Sequence, residues 1–232
     1  MSRTEVKPNV SENEPVERSG DKPPEKPLEK LVERRVLICP GFHPPALTAQ
    51  FVRSVFGSGA AGFTPSSSSL DLVQQASNLD SCDRLCPLVV EAFCANPVAI
   101  FDWMSRTLGP PETVDPILAV GFSGGVVGIA GALTLWQQQG GQVAKLIAID
   151  GWGMPLFGLP VCRVSHDWFT HWSTLPLGAG KVNFYADPPV EHLQMWACPD
   201  QVLGRVEAVW QTRKAQQITV AEFVREVLAA SF

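Results

Sequence analysis

From residue 35 onward, apolar positions along the chain form short, nearly unbroken runs that alternate with longer amphipathic segments. The runs at residues 36–39, 88–93, 117–120 and 145–149 have the length and composition of strands buried on both faces. The segments at 46–55, 98–108 and 126–138 are predicted helices, and Asn96 with Pro97 supplies a start signal for the second of them. Repeated strand and helix units of this kind predict an α/β fold in which helices cover a mostly parallel sheet.

The pattern loosens after Asp150, where residues 151–158 form an apolar, glycine-rich loop. Two further strands are predicted at 160–165 and 181–186, and two helices at 200–211 and 220–230. Thr219 and Glu222 have the spacing of a capping box at the start of the last helix. Residues 57–82 are rich in glycine and serine, which predicts a long irregular connection with a short helix at 70–76.

Charge divides the chain into two unlike parts. The first 34 residues carry 15 charged side chains and five prolines, which predicts a disordered arm at residues 1–34. The remaining 198 residues carry 26 charged side chains, about half the density of an ordinary globular domain. We expect residues 35–232 to form a single, unusually apolar domain.

Composition also limits the partners and the compartment. A net charge of −5 lacks the positive field that gathers phosphates, so nucleic acid is not an expected partner. The charged arm, which contains several glutamates, resembles neither a secretory signal nor a transit peptide, and the six cysteines lack CxxC spacing. We therefore expect reduced thiols, no metal, no cofactor and a cytoplasmic location. The low charge density is also compatible with an apolar surface that contacts a membrane, a lipid or another subunit.

One uncharged stretch has a second interpretation. Residues 116–144 contain no charged side chain, and the apolar segment 117–136 is long enough to cross a bilayer. Gly124 and Gly128 have the spacing of packed membrane helices. Five glycines between 121 and 131, and flanks without a basic asymmetry, argue against a membrane span. A buried strand, a tight turn and a core-facing helix account for the same residues.

The turn between that strand and that helix reads Gly121-Phe122-Ser123-Gly124-Gly125 and matches the pattern G-x-S-x-G. A serine held in a sharp turn between strand and helix crowds the backbone, so the positions two before and two after it must be very small. The turn raises the hydroxyl above the sheet at the helix N-terminus, where the amide of Gly124 can stabilise an oxyanion. Ser123 is therefore the predicted nucleophile.

A dinucleotide-binding oxidoreductase is a weaker interpretation of the same turn. Its glycine-rich loop would bind the pyrophosphate, and Asp150 at the end of the next strand would bind a ribose. However, Ser123 and Val126 stand where that fingerprint has its second and third glycines.

With its G-x-S-x-G turn, the chain resembles the α/β-hydrolase superfamily over residues 35–230. The length of this region is similar to that of small esterases, thioesterases and lipases. The resemblance implies a three-layer sandwich, a mostly parallel sheet with helices on both faces. The loop Pro40-Gly41-Phe42-His43 is similar to the family's loop that supplies the second oxyanion donor, which implies that role for an amide of Phe42 or His43. The chain departs from many members at Phe122, which stands where they carry a histidine.

A serine nucleophile needs an imidazole base within hydrogen-bond reach. His43 precedes the serine and would break the family's order of serine, acid and histidine. The resemblance favours His192, which follows the last predicted strand, and leaves His166 and His171 as alternatives.

The base in turn needs a carboxylate that orients it. Asp167 follows the strand predicted at 160–165 and is the preferred acid, with Asp187 and Asp150 as rivals. The segment 164–172 around it contains two histidines, an aspartate and three aromatics. His166, Asp167 and His171 lack a recognised metal-ligand spacing, so we interpret the segment as a loop that shapes the pocket.

The loops after strands carry large apolar side chains, which would suit an apolar acyl group. They are Trp152, Met154, Leu156, Phe157, Trp168 and Trp172. The sequence thus predicts a serine hydrolase that cleaves an ester or thioester of an apolar acyl substrate. The alternative is a non-catalytic protein of the same fold that binds a lipid, a pigment or a protein partner in that pocket.

Overall fold

The structure is a computed structural model that describes residues 1–2, 34–57, 85–151, 153–208 and 217–231. The chain divides into a unit at Met1–Lys30, nearly all of it outside the described residues, and a unit at Leu31–Phe232. The arm expected at 1–34 lies outside the described residues except for its ends, and so does the helix expected at 70–76. The architecture below is that of the second unit.

The strands in the described part of this unit form one sheet of eight, in the order β2-β1-β3-β4-β5-β6-β7-β8. Neighbours from β2 to β6 run parallel, whereas β7 and β8 are antiparallel additions at one edge. The bounds are β1 (Arg34–Cys39), β2 (Leu85–Val89), β3 (Ile117–Phe122), β4 (Val143–Ile149), β5 (Val161–Ser165), β6 (Val182–Ala186), β7 (Leu203–Ala208) and β8 (Gln217–Thr219).

Two helices begin where the start signals in the sequence place them. The Asn96 side chain accepts hydrogen bonds from two backbone N–H groups of the helix that follows, and Thr219 forms the expected capping box with Glu222. Among the described residues the helices are α1 (Pro45–Phe56), α2 (Pro97–Leu108), α3 (Gly124–Gln138), α4 (Trp168–Thr174), α5 (Gln194–Ala197) and α6 (Val220–Ala229).

Two apolar cores lie on opposite faces of the sheet. Alternate residues of each strand point to opposite faces, so Val36 and Ile38 pack with α1, α5 and α6, whereas Leu37 and Cys39 pack with α2 and α3. Because both faces are covered, β3 is apolar at every position and the buried residues 36–39 of β1 and 146–149 of β4 are apolar, as the runs in the sequence indicate. The predicted α/β class, with a mostly parallel sheet and helices, is confirmed.

Three predictions about secondary structure are wrong. The segment 164–172, expected to be a loop, contains the end of β5 and most of helix α4, which the Asp167 side chain caps. The helix expected at 200–211 is instead strand β7, in which exposed Leu203 and Arg205 flank buried Gly204. This period of two lets β7 pair with β6, and the pairing outweighs the local helical preference. The strand expected at 88–93 begins earlier and ends earlier, because β2 lies at the sheet edge, where Pro87 is tolerated.

The uncharged stretch 117–136 is divided between β3, the turn at Ser123 and α3. Within the described ranges, none of the helices is both long enough and apolar enough to cross a bilayer. The interpretation of this stretch as a strand, a turn and a core-facing helix is confirmed.

Candidate active site

Four neighbouring strands carry polar residues beyond their carboxyl ends. Ser123 follows β3, Asp150 follows β4, His166 follows β5, and His192 lies in the loop after β6. Parallel strands end at the same edge of a sheet, so the topology brings these side chains to one edge. The N–H of Val190 donates to the carbonyl oxygen of His166 at 3.0 Å, which joins the last two segments.

Ser123 occupies a turn that leaves no space for larger neighbours. Its φ of 53° and ψ of −124° place a non-glycine residue at positive φ. A Cβ on Gly125 would lie 2.3 Å from the carbonyl oxygen of Cys39, and one on Gly121 would lie 2.9 Å from the Ile129 side chain. The small residues two before and two after the serine are therefore required by the packing, as the motif predicts.

The loop after β1 lies against the turn. A Cβ on Gly124 would meet the ring of Phe42 at 2.9 Å, and the His43 ring packs against Phe122 with ring centroids 5.6 Å apart. The His43 Nδ1–H donates to the carbonyl oxygen of Pro44 at 3.0 Å. The first N–H groups of α3 have no partner inside the helix, so the amide of Gly124 is suited to bind an oxyanion.

Asp150 is the buried centre of the site. Its carboxylate Oδ2 accepts a hydrogen bond from His192 Nδ1 at 2.8 Å, and its Oδ1 accepts from His166 Nδ1 at 3.1 Å. The backbone N–H of His166 also donates to Oδ1, at 2.9 Å. Burial opposes ionisation, but the hydrogen bonds from His166 and His192 outweigh it and hold the pKa of Asp150 below its ordinary value.

His192 is held in a defined tautomer and a defined position. Because a carboxylate only accepts hydrogen bonds, the Nδ1 that faces Asp150 carries the proton and Nε2 of the neutral ring keeps a lone pair. The ring stacks on Phe122, the residue before Ser123, at a centroid distance of 4.7 Å and an interplanar angle of 20°. Among the contacts of the described residues, the Ser123 hydroxyl has no hydrogen bond to a ring nitrogen. The imidazole must therefore approach it before a proton can pass.

His166 is a second imidazole on the same carboxylate. Its hydrogen bond to Asp150 raises the pKa of His166 above its ordinary value. Its Nε2 lies 3.7 Å from Oδ2 of Asp167. The other oxygen of Asp167 accepts from the N–H of Thr170 at 2.6 Å and caps α4. Asp167, the preferred acid from the sequence, thus lies beside His166, while its rival Asp150 contacts His192.

The remaining acid and base candidates have other partners. Asp187 pairs with Arg205 on β7. His171 is fully buried, and its Nε2 lies 2.8 Å from Oε2 of Glu207, also on β7. Neither Asp187 nor His171 has a hydrogen bond to His192 in the part of the chain that the structure describes.

The six predicted pocket residues separate into three groups. Trp152 lies outside the described residues. Leu156 is buried in the core beside α2 and α3, and the half-buried Met154 packs against that core. The others are between 53% and 69% exposed: Phe157, Trp168 and Trp172.

A groove of about 740 Å³, lined by Pro160, Val161 and Lys181, lies at the amino ends of the strands, away from Ser123.

Exposed aromatics that the sequence reasoning did not select also lie beyond strand ends. Phe93 follows β2 and packs against Phe42, with ring centroids 5.6 Å apart, and both side chains are more than 60% exposed. Phe169, in the first turn of α4, is 68% exposed. Their positions in loops after strands were visible in the sequence, but their exposure was not.

Sequence reasoning also missed a buried cation below the site. The guanidinium of Arg163, on β5, donates to the carbonyl oxygens of Gly178, Met154 and Leu177 at 2.7–3.0 Å. Burial lowers the pKa of Arg163 to about 10. An arginine between the apolar residues Cys162 and Val164 of a predicted strand was the available signal. Its bonds hold the segments before β5 and before β6 together.

No protein-family model matches the chain, and no curated protein matches it. The function therefore has to be inferred from the chemistry of the site. A serine in a strained turn at a helix N-terminus, beside an imidazole held by a buried carboxylate, has the groups needed to activate a hydroxyl for attack on a carbonyl.

Proposed function

We propose that the protein is a serine hydrolase of the α/β-hydrolase type, which cleaves an ester or thioester of an apolar acyl substrate through an acyl-enzyme on Ser123. The observation that carries the proposal is the 2.8 Å hydrogen bond between Asp150 and His192, whose ring stacks beside the serine turn. The sheet order supports it, because the chain supplies serine, acid and base in sequence from neighbouring strand ends.

In the first step, His192 Nε2 takes the proton of the Ser123 hydroxyl as Oγ attacks the carbonyl carbon. The Nδ1–H bond to Asp150 then stabilises the imidazolium that forms. The oxyanion accepts hydrogen bonds from the amide of Gly124 and from an amide of Phe42 or His43. His192 next returns the proton to the leaving alcohol or thiol, and water, activated by the same imidazole, releases the acid.

Asp150 takes the role that the sequence first suggested for Asp167. The carboxylate of Asp150 is only 1% exposed, so its charge acts on His192 with little screening by water. Asp167 is 29% exposed and caps α4. These contacts favour a triad of Ser123, Asp150 and His192.

The exposed aromatics support the apolar acyl class of substrate. Phe42, after β1, lies against the serine turn, Phe93, after β2, packs on Phe42, and Trp168 lies beyond β5. Large apolar side chains exposed beside a polar catalytic edge suit a substrate with a hydrophobic acyl chain and a reactive carbonyl.

A fluorophosphonate probe tests the proposal, because it reacts covalently only with an activated serine. We expect the purified full chain to be labelled once, at Ser123, and Ser123→Ala to remain unlabelled. His192→Ala should lower the labelling rate by about 10³-fold or more. Ser105→Ala, which removes a hydroxyl that donates to the carbonyl oxygen of Phe101, is the matched control and should be labelled normally. Unchanged labelling in Ser123→Ala would reject the proposal.

The second candidate is a non-catalytic protein that binds an apolar ligand at the same edge. The specific observation in its favour is the lack of a hydrogen bond from the Ser123 hydroxyl to an imidazole within the described ranges. The two candidates differ in the probe experiment. A folded protein that resists the fluorophosphonate but binds a fluorescent fatty acid would support the second.

A further inference from the structure

Three potential metal ligands converge at the carboxyl edge of the sheet. One ligand atom from each of Asp150, His166 and His192 lies within 4.8 Å of the other two. Two imidazole nitrogens and one carboxylate oxygen form the donor set of many three-residue zinc sites, in which water supplies the fourth ligand. We propose that these residues form a regulatory Zn²⁺ site, and that bound Zn²⁺ blocks the serine chemistry.

The hydrogen-bond distances are close to those that coordination requires. Ordinary zinc bond lengths in a tetrahedral site separate neighbouring ligand atoms by about 3.3 Å. The carboxylate oxygens of Asp150 lie 2.8 Å from His192 Nδ1 and 3.1 Å from His166 Nδ1. These two hydrogen bonds go to different oxygens of Asp150, and the three ligand atoms are up to 4.8 Å apart. The two rings must therefore turn, and the most separated ligand atoms must approach by up to about 1.5 Å, before all three reach one ion.

Access and charge also suit a cation. The His192 and His166 side chains are 41% and 27% exposed, so an ion and its water can reach the buried carboxylate. Asp167 and Glu191 act electrostatically on His166 and add negative charge to the surroundings of the site.

In this arrangement Asp167 would orient the His166 ring. Metal-binding histidines usually donate their second ring N–H to a carboxylate, which fixes the ring and strengthens binding. Oδ2 of Asp167 lies 3.7 Å from His166 Nε2, on the side of the ring that faces away from Asp150. A small movement lets the Nε2–H of His166 donate to Oδ2 of Asp167 while Nδ1 binds the metal. The other oxygen of Asp167 still caps α4.

Coordination would change the tautomer of the proposed base. Nδ1 of neutral His192 must lose its proton to bind zinc, and the ring regains one at Nε2, so the imidazole stays neutral. Nε2–H cannot accept the proton of Ser123, so the hydroxyl is not activated. Zinc binding itself is independent of the proposed function, whereas this inhibition rests on it.

Direct binding tests the site without any activity. Calorimetry measures Zn²⁺ binding to the full chain of Ser123→Ala after treatment with a chelator. In a second experiment Co²⁺ is titrated into the unmodified protein, in which a tetrahedral site gives intense visible absorption. We expect one ion per chain, at least 100-fold weaker binding in His166→Ala, and 10- to 100-fold weaker binding in Asp167→Asn. Cys198→Ser, which removes a half-buried thiol, should bind as before.

Inhibition is measured separately. Saturating Zn²⁺ should lower the fluorophosphonate labelling rate of the unmodified chain at least tenfold, with recovery on chelation, and the labelling rate of His166→Ala should not respond to Zn²⁺. Equal zinc affinity in folded His166→Ala, or no tetrahedral Co²⁺ spectrum, overturns the site. If the chain binds zinc as expected but the probe never labels it, the zinc site is supported and the proposed serine hydrolase function is rejected. Full labelling with zinc bound rejects the inhibition.

Discussion

Asp150→Asn is the substitution that separates the two candidate acids. It replaces one carboxylate oxygen by an NH₂ group without changing the size of the side chain. The remaining oxygen can keep the position of Oδ1, where the backbone N–H and the ring of His166 both donate. The NH₂ group then faces Nδ1 of His192 and can only donate. Nδ1 must become the acceptor, and the proton moves to Nε2, the atom that has to accept the serine proton.

The cost of the wrong tautomer is large. The equivalent change in a serine protease triad lowers turnover about 10⁴-fold, and that factor corresponds to about 5.4 kcal/mol of transition-state free energy. We expect Asp150→Asn to lower the second-order rate constant for fluorophosphonate labelling by 10³- to 10⁴-fold. Circular dichroism and thermal unfolding should first establish that the variant is folded.

Asp167→Asn is the matched control. Asparagine caps helices about as well as aspartate, so the N-terminus of α4 keeps its hydrogen bond from the Thr170 N–H. Its labelling rate, measured without added metal, should stay within about threefold of the unmodified chain. If Asp167→Asn is the inactive variant and Asp150→Asn retains its rate, the assignment of the acid is refuted.

The remaining predictions concern packing and thiol chemistry. Gly125→Ala forces a methyl group to within 2.3 Å of the Cys39 carbonyl oxygen and should lower the free energy of unfolding in urea by about 3 kcal/mol. Gly124→Ala meets only an exposed ring and should cost under about 1 kcal/mol; equal losses would contradict the packing argument. Burial raises the pKa of Cys39 and of Cys162 to about 12, so iodoacetamide at pH 8 should modify them only after unfolding, as mass spectrometry can measure. Arg163→Leu leaves three carbonyl oxygens without their donor and should cost about 3 kcal/mol; a loss below about 0.5 kcal/mol would contradict this role.

Most strands and helices could be predicted from the sequence, because the central strands are buried on both faces and each helix packs one apolar side. The exceptions are strands at the sheet edges and the two short helices α4 and α5, of seven and four residues. β7 is exposed at alternate positions, so its period of two competes with a helical pattern over residues 200–211. β2 contains a proline that only an edge strand tolerates.

The serine turn could be predicted for a local reason, since its five residues carry their own steric requirement. The partner of His192 could not. Asp150 and Asp167 each follow a strand, and nothing local distinguishes a carboxylate that caps a helix from one that faces an imidazole 42 residues along the chain.

The sequence by itself therefore determined the class of fold, the turn at Ser123 and a short set of polar candidates, because these depend on periodicity and on contacts between near neighbours. The tertiary structure alone decided which candidates meet. The order of β3, β4, β5 and β6 in the sheet places Asp150 between two imidazoles and leaves Asp167 on the outer side of His166. That choice depends on which strand ends are adjacent in space, and only the paired sheet fixes their adjacency.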